Sequence, residues 1–184
     1  MFHMREAPPE APLREAVRLL EGAGLVVALG GSGLLAALGI AEAARDWDLT
    51  TDASADQVEA ALDGRPHERC GPDRIHADHK LRIADGAVEV ICRLAFRAPS
   101  GIVRIPTTVS ARVEDIPLGS PEAWAAAYAL LAREEKFERL MSWLARQGAD
   151  PGVIARLGAE PLPAALAARL RSLPPAPPER RGPA

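Results

Sequence analysis

Residues 25–51, with the sequence LVVALGGSGLLAALGIAEAARDWDLTT, place the strongest constraint on how this chain folds. The continuous apolar run at residues 25–29 predicts a strand that is buried on both faces. A glycine turn follows, and Ser32 is a suitable N-cap for a helix that extends to about Ala44. Residues 46–50 predict a second strand, so the segment consists of a strand, a turn, a helix and a strand.

The second strand opens with two carboxylates, Asp46 and Asp48. Side chains alternate along a strand, so these two acids lie on one face while Trp47 and Leu49 lie on the other. Two adjacent carboxylates repel each other unless a cation lies between them. This strand therefore predicts a cation-binding site.

The rest of the chain predicts an α+β protein. Its periodicity indicates a helix at 12–22, a helix at 54–64 with a capping box of Ser54 and Gln57, a polar connection at 65–72, strands at 75–83 and 87–96 joined by a hairpin turn at 84–86, an edge strand at 102–105, and helices from Ser120 onward. This order indicates a small mixed β-sheet packed with helices and followed by a C-terminal helical layer. The predicted divisions are a flexible N-terminus (1–11), an α+β core (12–115), a helical segment (116–173) and a Pro-rich tail (174–184).

Composition and charge narrow the location and the partners. The 184 residues carry a formal net charge of -3, which offers no general attraction to a polyanion, so we expect no extended nucleic acid as a partner. We also expect no membrane association, because no apolar run approaches a membrane span and the N-terminus has no hydrophobic signal core. Cys70 and Cys92 have no ligand-like spacing, which favours a reducing compartment, and we predict a cytoplasmic protein.

Gly30, Gly31 and Ser32 lie where the first predicted strand gives way to a helix. Free backbone amides and the positive end of the helix dipole can hold a phosphate there, and glycine lets the phosphate approach the backbone. A tight turn between two elements explains the same residues equally well. The glycines therefore indicate a phosphate site only together with the acids that follow them.

Glu89 lies in a predicted strand between two apolar β-branched residues, Val88 and Val90. An unpaired buried carboxylate is costly, so Glu89 is either an outward-facing residue or a ligand. Period-two alternation places Arg93 on the same face. If this strand neighbours the first acid strand, three carboxylates converge. Their repulsion, roughly 4 kcal/mol per pair at 4 Å, then favours a hard cation such as Mg²⁺.

These residues resemble the pattern of the nucleotidyltransferase superfamily, which has the DNA polymerase β-like fold. The family pattern is glycine followed by glycine or serine, a variable helix, two acids separated by one hydrophobic residue, and a third acid on a later strand. In this chain the matching residues are Gly31, Ser32, Asp46, Asp48 and Glu89. Residues 45–62 are also similar to the head domain of bacterial poly(A) polymerases and CCA-adding enzymes, and residues 116–144 resemble the helical pair of small stand-alone members.

The resemblance implies in-line attack by an acceptor hydroxyl on the α-phosphorus of a nucleoside triphosphate. The implied cofactor is a pair of Mg²⁺ ions held by Asp46, Asp48 and Glu89, with Glu89 alternatively acting as the base. The implied nucleotide-binding residues are Gly30, Gly31, Ser32 and Arg93. The acceptor is not identified, although a small molecule or a protein side chain fits the short, negatively charged chain better than an RNA end.

Two other interpretations stay open. Gly31, Gly33 and Ala36 satisfy the Gly-x-Gly-x-x-Ala fingerprint of dinucleotide-binding folds, and Asp52 lies about twenty residues further on. Alternatively, the chain has the nucleotidyltransferase fold but is degenerate, and it binds a nucleotide or a protein partner without turnover.

Three further groups of residues carry weaker signals. His76 and Asp78 share a strand face and suggest a metal site, although a polar strand surface explains them better. Lys80, Arg82 and Arg104 suggest a basic rim or an ordinary surface. The aromatic residues of the C-terminal helices are expected in the core; they are Trp124, Tyr128 and Phe137.

Overall fold

The computed structural model of this protein describes residues 7–72 and 78–177. Within these residues the chain forms seven helices and nine strands. The helices are α1 (Ala11–Gly22), α2 (Gly31–Ala37), α3 (Ala55–Leu62), α4 (Pro121–Leu130), α5 (Glu134–Gln147), α6 (Pro151–Gly158) and α7 (Ala164–Arg171). The strands are β1 (Ala28–Leu29), β2 (Trp47–Thr51), β3 (His67–Cys70), β4 (Lys80–Ile83), β5 (Val88–Cys92), β6 (Ala95–Ala98), β7 (Gly101–Arg104), β8 (Val109–Val113) and β9 (Ile116–Gly119).

Seven of these strands form one mixed sheet in the order β3-β4-β5-β2-β1-β9-β8. Strand β2 runs parallel to β5 and β1 runs parallel to β9, whereas the other neighbouring strands are antiparallel. Strands β6 and β7 form a separate antiparallel pair. The predicted α+β class with a small mixed sheet is confirmed.

The unit β1–α2–β2 differs from the parallel βαβ unit of a dinucleotide-binding fold. Ala28 faces Thr50 and Leu29 faces Leu49, and the two strands run antiparallel. A dinucleotide site requires parallel strands on either side of its helix. The dinucleotide hypothesis is therefore wrong.

Several local predictions are confirmed by the hydrogen bonds at element ends. Ser54 and Gln57 form the complete capping box of α3. The hydroxyl of Ser120 accepts from the Ala123 amide at the start of α4, with Pro121 in the first turn. Strands β4 and β5 are antiparallel and joined by the predicted turn at 84–86, whose residues all have positive φ.

The first predicted strand and the first predicted helix are both shorter than expected. Only Ala28 and Leu29 pair in β1, and Val26 is 60% exposed, so residues 25–29 are not buried on both faces. Helix α2 has Gly30 as its N-cap and ends at Ala37, because Gly39 leaves the helix with a φ of 69°. The predictions that Ser32 caps this helix and that the helix reaches Ala44 are wrong.

Strand patterns in the middle of the chain also differ from the prediction. The expected strand at 87–96 divides into β5 and β6, because Arg93 has a φ of 49° between them. The predicted edge strand at 102–105 corresponds to β7, which pairs with β6 outside the main sheet. Strand β3 occupies the predicted polar connection. Strands β8 and β9 were not predicted, and β9 is a buried neighbour of β1.

The C-terminal helices α5, α6 and α7 pack against α4. Residues 121–128 of α4 are all buried, and α4 contacts α5, α6 and α7. Leucines from those three helices fill the surrounding core; among them are Leu140, Leu144, Leu157 and Leu170. The Ala149 amide donates to the carbonyl oxygen of Pro174, and the Ala149 carbonyl oxygen accepts from the Ala176 amide. None of the described helices is long and apolar enough to cross a bilayer.

Candidate active site

The predicted acids lie together in the sheet. Asp46 immediately precedes β2 and Asp48 lies within it, directly opposite Glu89 of the parallel strand β5. The two acid strands are therefore neighbours, which is the condition that the sequence left open. All three carboxylates line one cavity of about 170 Å³, which we call the acidic cavity. This volume is smaller than the roughly 300–1,000 Å³ of most ligand pockets, so it suits reacting groups and not a whole substrate.

Ser32 positions the first acid. Its buried hydroxyl donates a hydrogen bond to Asp46 Oδ1 at 2.5 Å. The same oxygen accepts from the backbone amides of Arg45, at 2.9 Å, and Asp46, at 3.3 Å. Ser32 was predicted to contact phosphate. In the structure its hydroxyl instead bonds to the carboxylate of Asp46, immediately before the start of β2.

Two glycines let α2 approach the acid strand closely. Gly31 has a φ of 55°, and a Cβ atom there would lie 2.0 Å from Asp48 Oδ2. At Gly30 a Cβ atom would lie 1.8 Å from the ring of Trp124. The Gly30 amide also donates to the carbonyl oxygen of Asp48 at 2.8 Å. Gly30 therefore supports the fold, while Gly31 borders the acidic cavity.

The surroundings of Asp48 disfavour the ionised form of its carboxyl group. Burial is the main cause, and with the charges of Asp46 and Glu89 it raises the pKa of Asp48 to about 7. Lys80 and Lys136 act in the opposite direction but are too weak to offset this. A bound cation would favour the ionised form of Asp48 at neutral pH.

Glu89 already has cationic partners on the neighbouring strand β4. Its carboxylate lies 3.1 Å from Lys80 Nζ and 3.5 Å from Arg82 Nε. The side chains of Lys80 and Glu89 are only 18% and 22% exposed, so their ion pair is partly shielded from water. Two members of the predicted basic rim thus contact the third acid.

The described residues contain no group of three His, Cys, Asp or Glu side chains already arranged as a metal cluster. The acid pair nevertheless fits a hard divalent cation, since Asp46 and Asp48 offer carboxylate oxygens only. The raised pKa of Asp48 marks negative charge that such a cation would neutralise.

Three cations that the sequence patterns did not identify also line the acidic cavity: Arg45, Arg133 and Lys136. Burial, followed by repulsion from Arg45 and Arg133, lowers the pKa of Lys136. A polyanionic ligand would relieve this repulsion. Arg45 could have been suggested by its position next to the acid pair, but Arg133 and Lys136 come from the α4–α5 region.

Tyr128 is a buried residue with an unused polar group. Among the described residues its hydroxyl has no hydrogen-bond partner. Burial, followed by the charge of Asp48, raises its pKa. The Tyr128 ring lies 5.5 Å from that of Trp124, and Lys136 Nζ lies 4.9 Å from its centroid. Trp124, Tyr128 and Phe137 are all buried as predicted, and the first two also line the acidic cavity.

Arg93 does not line the acidic cavity. Its positive φ interrupts the alternation of β5, so the prediction that it shares a face with Glu89 is wrong. Its Nε lies 3.4 Å from the carbonyl oxygen of Asp52, and it lines a second cavity together with Arg104 and Asp78.

The suggested metal site around Asp78 is only partly described. His76 lies outside the described residues. Asp78 Oδ1 accepts from the His79 amide at 2.8 Å and contacts His79 Nδ1 at 2.9 Å. Burial alone would raise the pKa of Asp78, but these contacts and the charge of Arg93 lower it.

No family model matches the sequence, and no curated protein matches it. Solved structures, however, share its fold. A candidate nucleotidyltransferase from Thermotoga maritima, TM1012, is 22% identical and aligns with a TM-score of 0.51 over 79% of this chain and 99% of its own.

The antibiotic-resistance factor ANT(2″)-Ia is a second structural neighbour. Its solution structure is 15% identical and aligns with a TM-score of 0.50 over 87% of this chain and 89% of its own. Its crystal structure with adenylyl-2″-tobramycin gives the same identity and TM-score over 87% of this chain and 95% of its own. The mixed sheet and these similarities together show that this chain has the nucleotidyltransferase fold.

Proposed function

We propose that this chain transfers a nucleoside monophosphate from a nucleoside triphosphate to an acceptor hydroxyl. The observation that carries the proposal is the acidic cavity, which is lined by three carboxylates and four cations: Lys80 beside Glu89, and Arg45, Arg133 and Lys136. Carboxylates suit the metal ions that accompany a triphosphate, and the cations suit its phosphate oxygens. One cavity with both groups has the composition that this reaction requires.

In this proposal Asp46 and Asp48 hold Mg²⁺, with Glu89 as the third ligand of a two-metal site. When bound, the ions would neutralise phosphate charge and make the acceptor hydroxyl more acidic. Glu89 reaches this role only if the ammonium group of Lys80, now 3.1 Å away, shares or releases its carboxylate.

The remaining residues of the cavity bind and orient the nucleotide. Lys136, Arg133 and Arg45 contact phosphate oxygens and stabilise the charge that develops as pyrophosphate leaves. Gly31 keeps the backbone close to the acids, so the β- and γ-phosphates lie against the first turn of α2. The buried hydroxyl of Tyr128 bonds to the bound nucleotide, which supplies the partner that the described residues do not.

A small molecule is the acceptor that fits best. The net charge of -3 does not favour a long nucleic acid. The structural neighbour ANT(2″)-Ia was crystallised with adenylyl-2″-tobramycin, which is a nucleotidylated small molecule. A larger cavity, described below, shares the lining residue Leu94 with the acidic cavity and would accommodate such a compound.

Transfer of label from α-³²P-labelled nucleoside triphosphates tests the proposal. The four triphosphates are incubated with Mg²⁺ and a panel of hydroxylated small molecules and proteins, and label in acceptors is counted. The matched control is Asp46→Asn, which keeps the shape of the side chain and an oxygen for the Ser32 hydroxyl. We expect transfer by the wild type, and none by the variant or in EDTA. Equal labelling by wild type and variant would refute the proposed role of the acid pair.

A second candidate function is nucleotide binding without turnover, which the Lys80–Glu89 ion pair favours. The ammonium group of Lys80, 3.1 Å from Glu89, would compete with a metal ion for this carboxylate. Calorimetric titration with a non-hydrolysable ATP analogue and Mg²⁺ separates the two functions. Binding at the acidic cavity without transfer to any acceptor, together with restored transfer in Lys80→Met, would identify the ion pair as the cause of inactivity.

A further inference from the structure

A second cavity, of about 610 Å³, adjoins the acidic cavity, and Leu94 lines both. Strand β2 also connects them, since Asp48 lines the first cavity and Asp52, just after the strand, lines the second. Four residues of extended chain span at most about 13 Å. A molecule of moderate size in the larger cavity can therefore extend a functional group toward the acids.

Three arginines from separate parts of the chain line this larger cavity, which we call the arginine cavity. Arg93 follows β5, Arg104 ends β7 and Arg156 belongs to α6. In the part of the chain that the structure describes, none of the three forms an ion pair. Arg93 Nε lies 3.4 Å from the Asp52 carbonyl oxygen, and Arg156 Nη2 donates to Thr108 Oγ1 at 3.1 Å. A guanidinium group has five N–H donors, so most of theirs are available.

The carboxylates of the arginine cavity are more fully used by the fold. Asp52 Oδ1 accepts from the Thr107 amide at 3.0 Å, and Glu160 Oε2 accepts from the Arg104 amide at 2.9 Å. Asp78 Oδ1 accepts from the His79 amide. These bonds use one oxygen of each carboxylate, whereas most of the guanidinium donors have no partner among the described residues. The cavity is lined by three arginines and three carboxylates, and the arginines keep more unused N–H donors than the carboxylates keep unused oxygens.

The uncharged residues of the cavity lining are all apolar. They are Leu94, Ala95, Ile102, Ile105, Pro106 and Ala159. An inorganic ion alone would leave this surface exposed to water, whereas an organic molecule would cover it. The combination of free guanidinium groups and apolar lining residues selects for a small organic anion.

We propose that the arginine cavity binds a small organic anion through Arg93, Arg104 and Arg156. The recognised group is a carboxylate or a phosphate monoester, both of which accept paired hydrogen bonds from a guanidinium fork. The identification of this anion as the acceptor rests on the proposed function. In that case a hydroxyl of the anion, pointing past Leu94 toward Asp48, attacks the α-phosphorus. Its oxygen bonds to phosphorus, the bond to pyrophosphate breaks, and the hydroxyl proton is released.

Binding is measured by isothermal titration calorimetry without nucleotide, so the result does not depend on turnover. The probes are D-glucose 6-phosphate, D-gluconate and D-glucose, which share a hydroxylated six-carbon skeleton and differ in charge, and the polycation tobramycin. The variants are Arg104→Gln and Arg156→Gln. Arg171→Gln, an exposed arginine of α7 outside the cavity, is the matched control. Circular dichroism verifies that each variant is folded.

We expect at least one anion to bind at least tenfold more tightly than glucose. The difference in affinity between D-glucose 6-phosphate and D-gluconate would identify the preferred anionic group. Each cavity substitution should weaken anion binding by about tenfold, while Arg171→Gln leaves it unchanged. Equal affinities for anions and glucose, insensitivity to both cavity substitutions, or tighter binding of tobramycin would overturn the proposal.

The proposed function fails separately. Arginine-dependent anion binding without any nucleotide transfer would support the anion site and contradict the transferase. Transfer to neutral or cationic acceptors that is insensitive to Arg104→Gln would support the transferase and contradict the anion site. Transfer to the anion with a KM raised by Arg104→Gln at unchanged kcat would support both.

Discussion

Replacing Asp48 by asparagine is expected to stabilise the metal-free protein while it removes activity. The pKa of Asp48 is raised from 3.8 to about 7, which at about 1.4 kcal/mol per unit corresponds to roughly 4 kcal/mol. Because Asp48 is only half-buried and water still screens its charge, we expect about half of this, roughly 2 kcal/mol. Asparagine has a similar shape and no charge, so the variant escapes this penalty.

The pH dependence follows from the direction of the shift. Between about pH 4 and pH 7 the folded state binds more protons at Asp48 than the unfolded state does, so stability falls as pH rises through this window. The full penalty is present above pH 7 and absent below pH 4. The stabilising effect of Asp48→Asn should therefore be largest at pH 8 and disappear near pH 4.

Thermal and urea unfolding in EDTA, monitored by circular dichroism from pH 4 to pH 9, measures this effect. A gain of roughly 2 kcal/mol corresponds to about 4–8 °C in Tm for a chain of this size. Asp63→Asn is the control, since Asp63 is an exposed acid with a positive φ that asparagine tolerates. If Asp48→Asn and wild type have equal unfolding free energies at pH 8, the carboxylate is not under electrostatic penalty and the argument for a bound cation fails.

Three further predictions concern the same cavity. Gly31→Ala should destabilise the protein by more than Gly39→Ala. Both glycines have positive φ, but only at Gly31 would a Cβ atom lie 2.0 Å from a carboxylate oxygen. Chemical denaturation compares the unfolding free energies of the two variants. Tyr128→Phe should raise the Tm slightly, by the removal of a buried unpartnered hydroxyl, and should raise the KM for nucleotide; an unchanged KM would contradict the proposed contact. Lys80→Met should lower the Mg²⁺ concentration required for half-maximal transfer, because it removes the closer of the two cations that pair with Glu89, and metal titrations of activity would show whether it does.

The sequence was most informative where one residue pair defines a local geometry. The spacing of Asp46 and Asp48 correctly indicated two acids at the head of one strand, whereas the position of Glu89 left open whether its strand lies next to theirs. Capping and hairpin residues act within a few positions of themselves, so the starts of α3 and α4 could be predicted.

Interactions between distant segments could not be predicted in this way. Strand β9 has the sequence IPLG, and a proline within four residues gives no strand signal, although the strand is buried beside β1. The convergence of Arg133 and Lys136 with the acids depends on the packing of α4 and α5 against the sheet. The prediction that Arg93 shares a face with Glu89 failed for a local reason. The left-handed backbone conformation of Arg93 ends the strand alternation on which that prediction relied.

The pairing of β1 with β9 also affects how the chain reaches its folded state. Leu29 pairs with Leu118, which follows about 90 residues later, and this pairing holds one side of the strand that leads into the glycine turn. During synthesis that side stays open until β9 has left the ribosome, so this part of the sheet is completed late. A nascent chain that stops before Ile116 exposes an unpaired strand edge and should be prone to aggregation and dependent on chaperones.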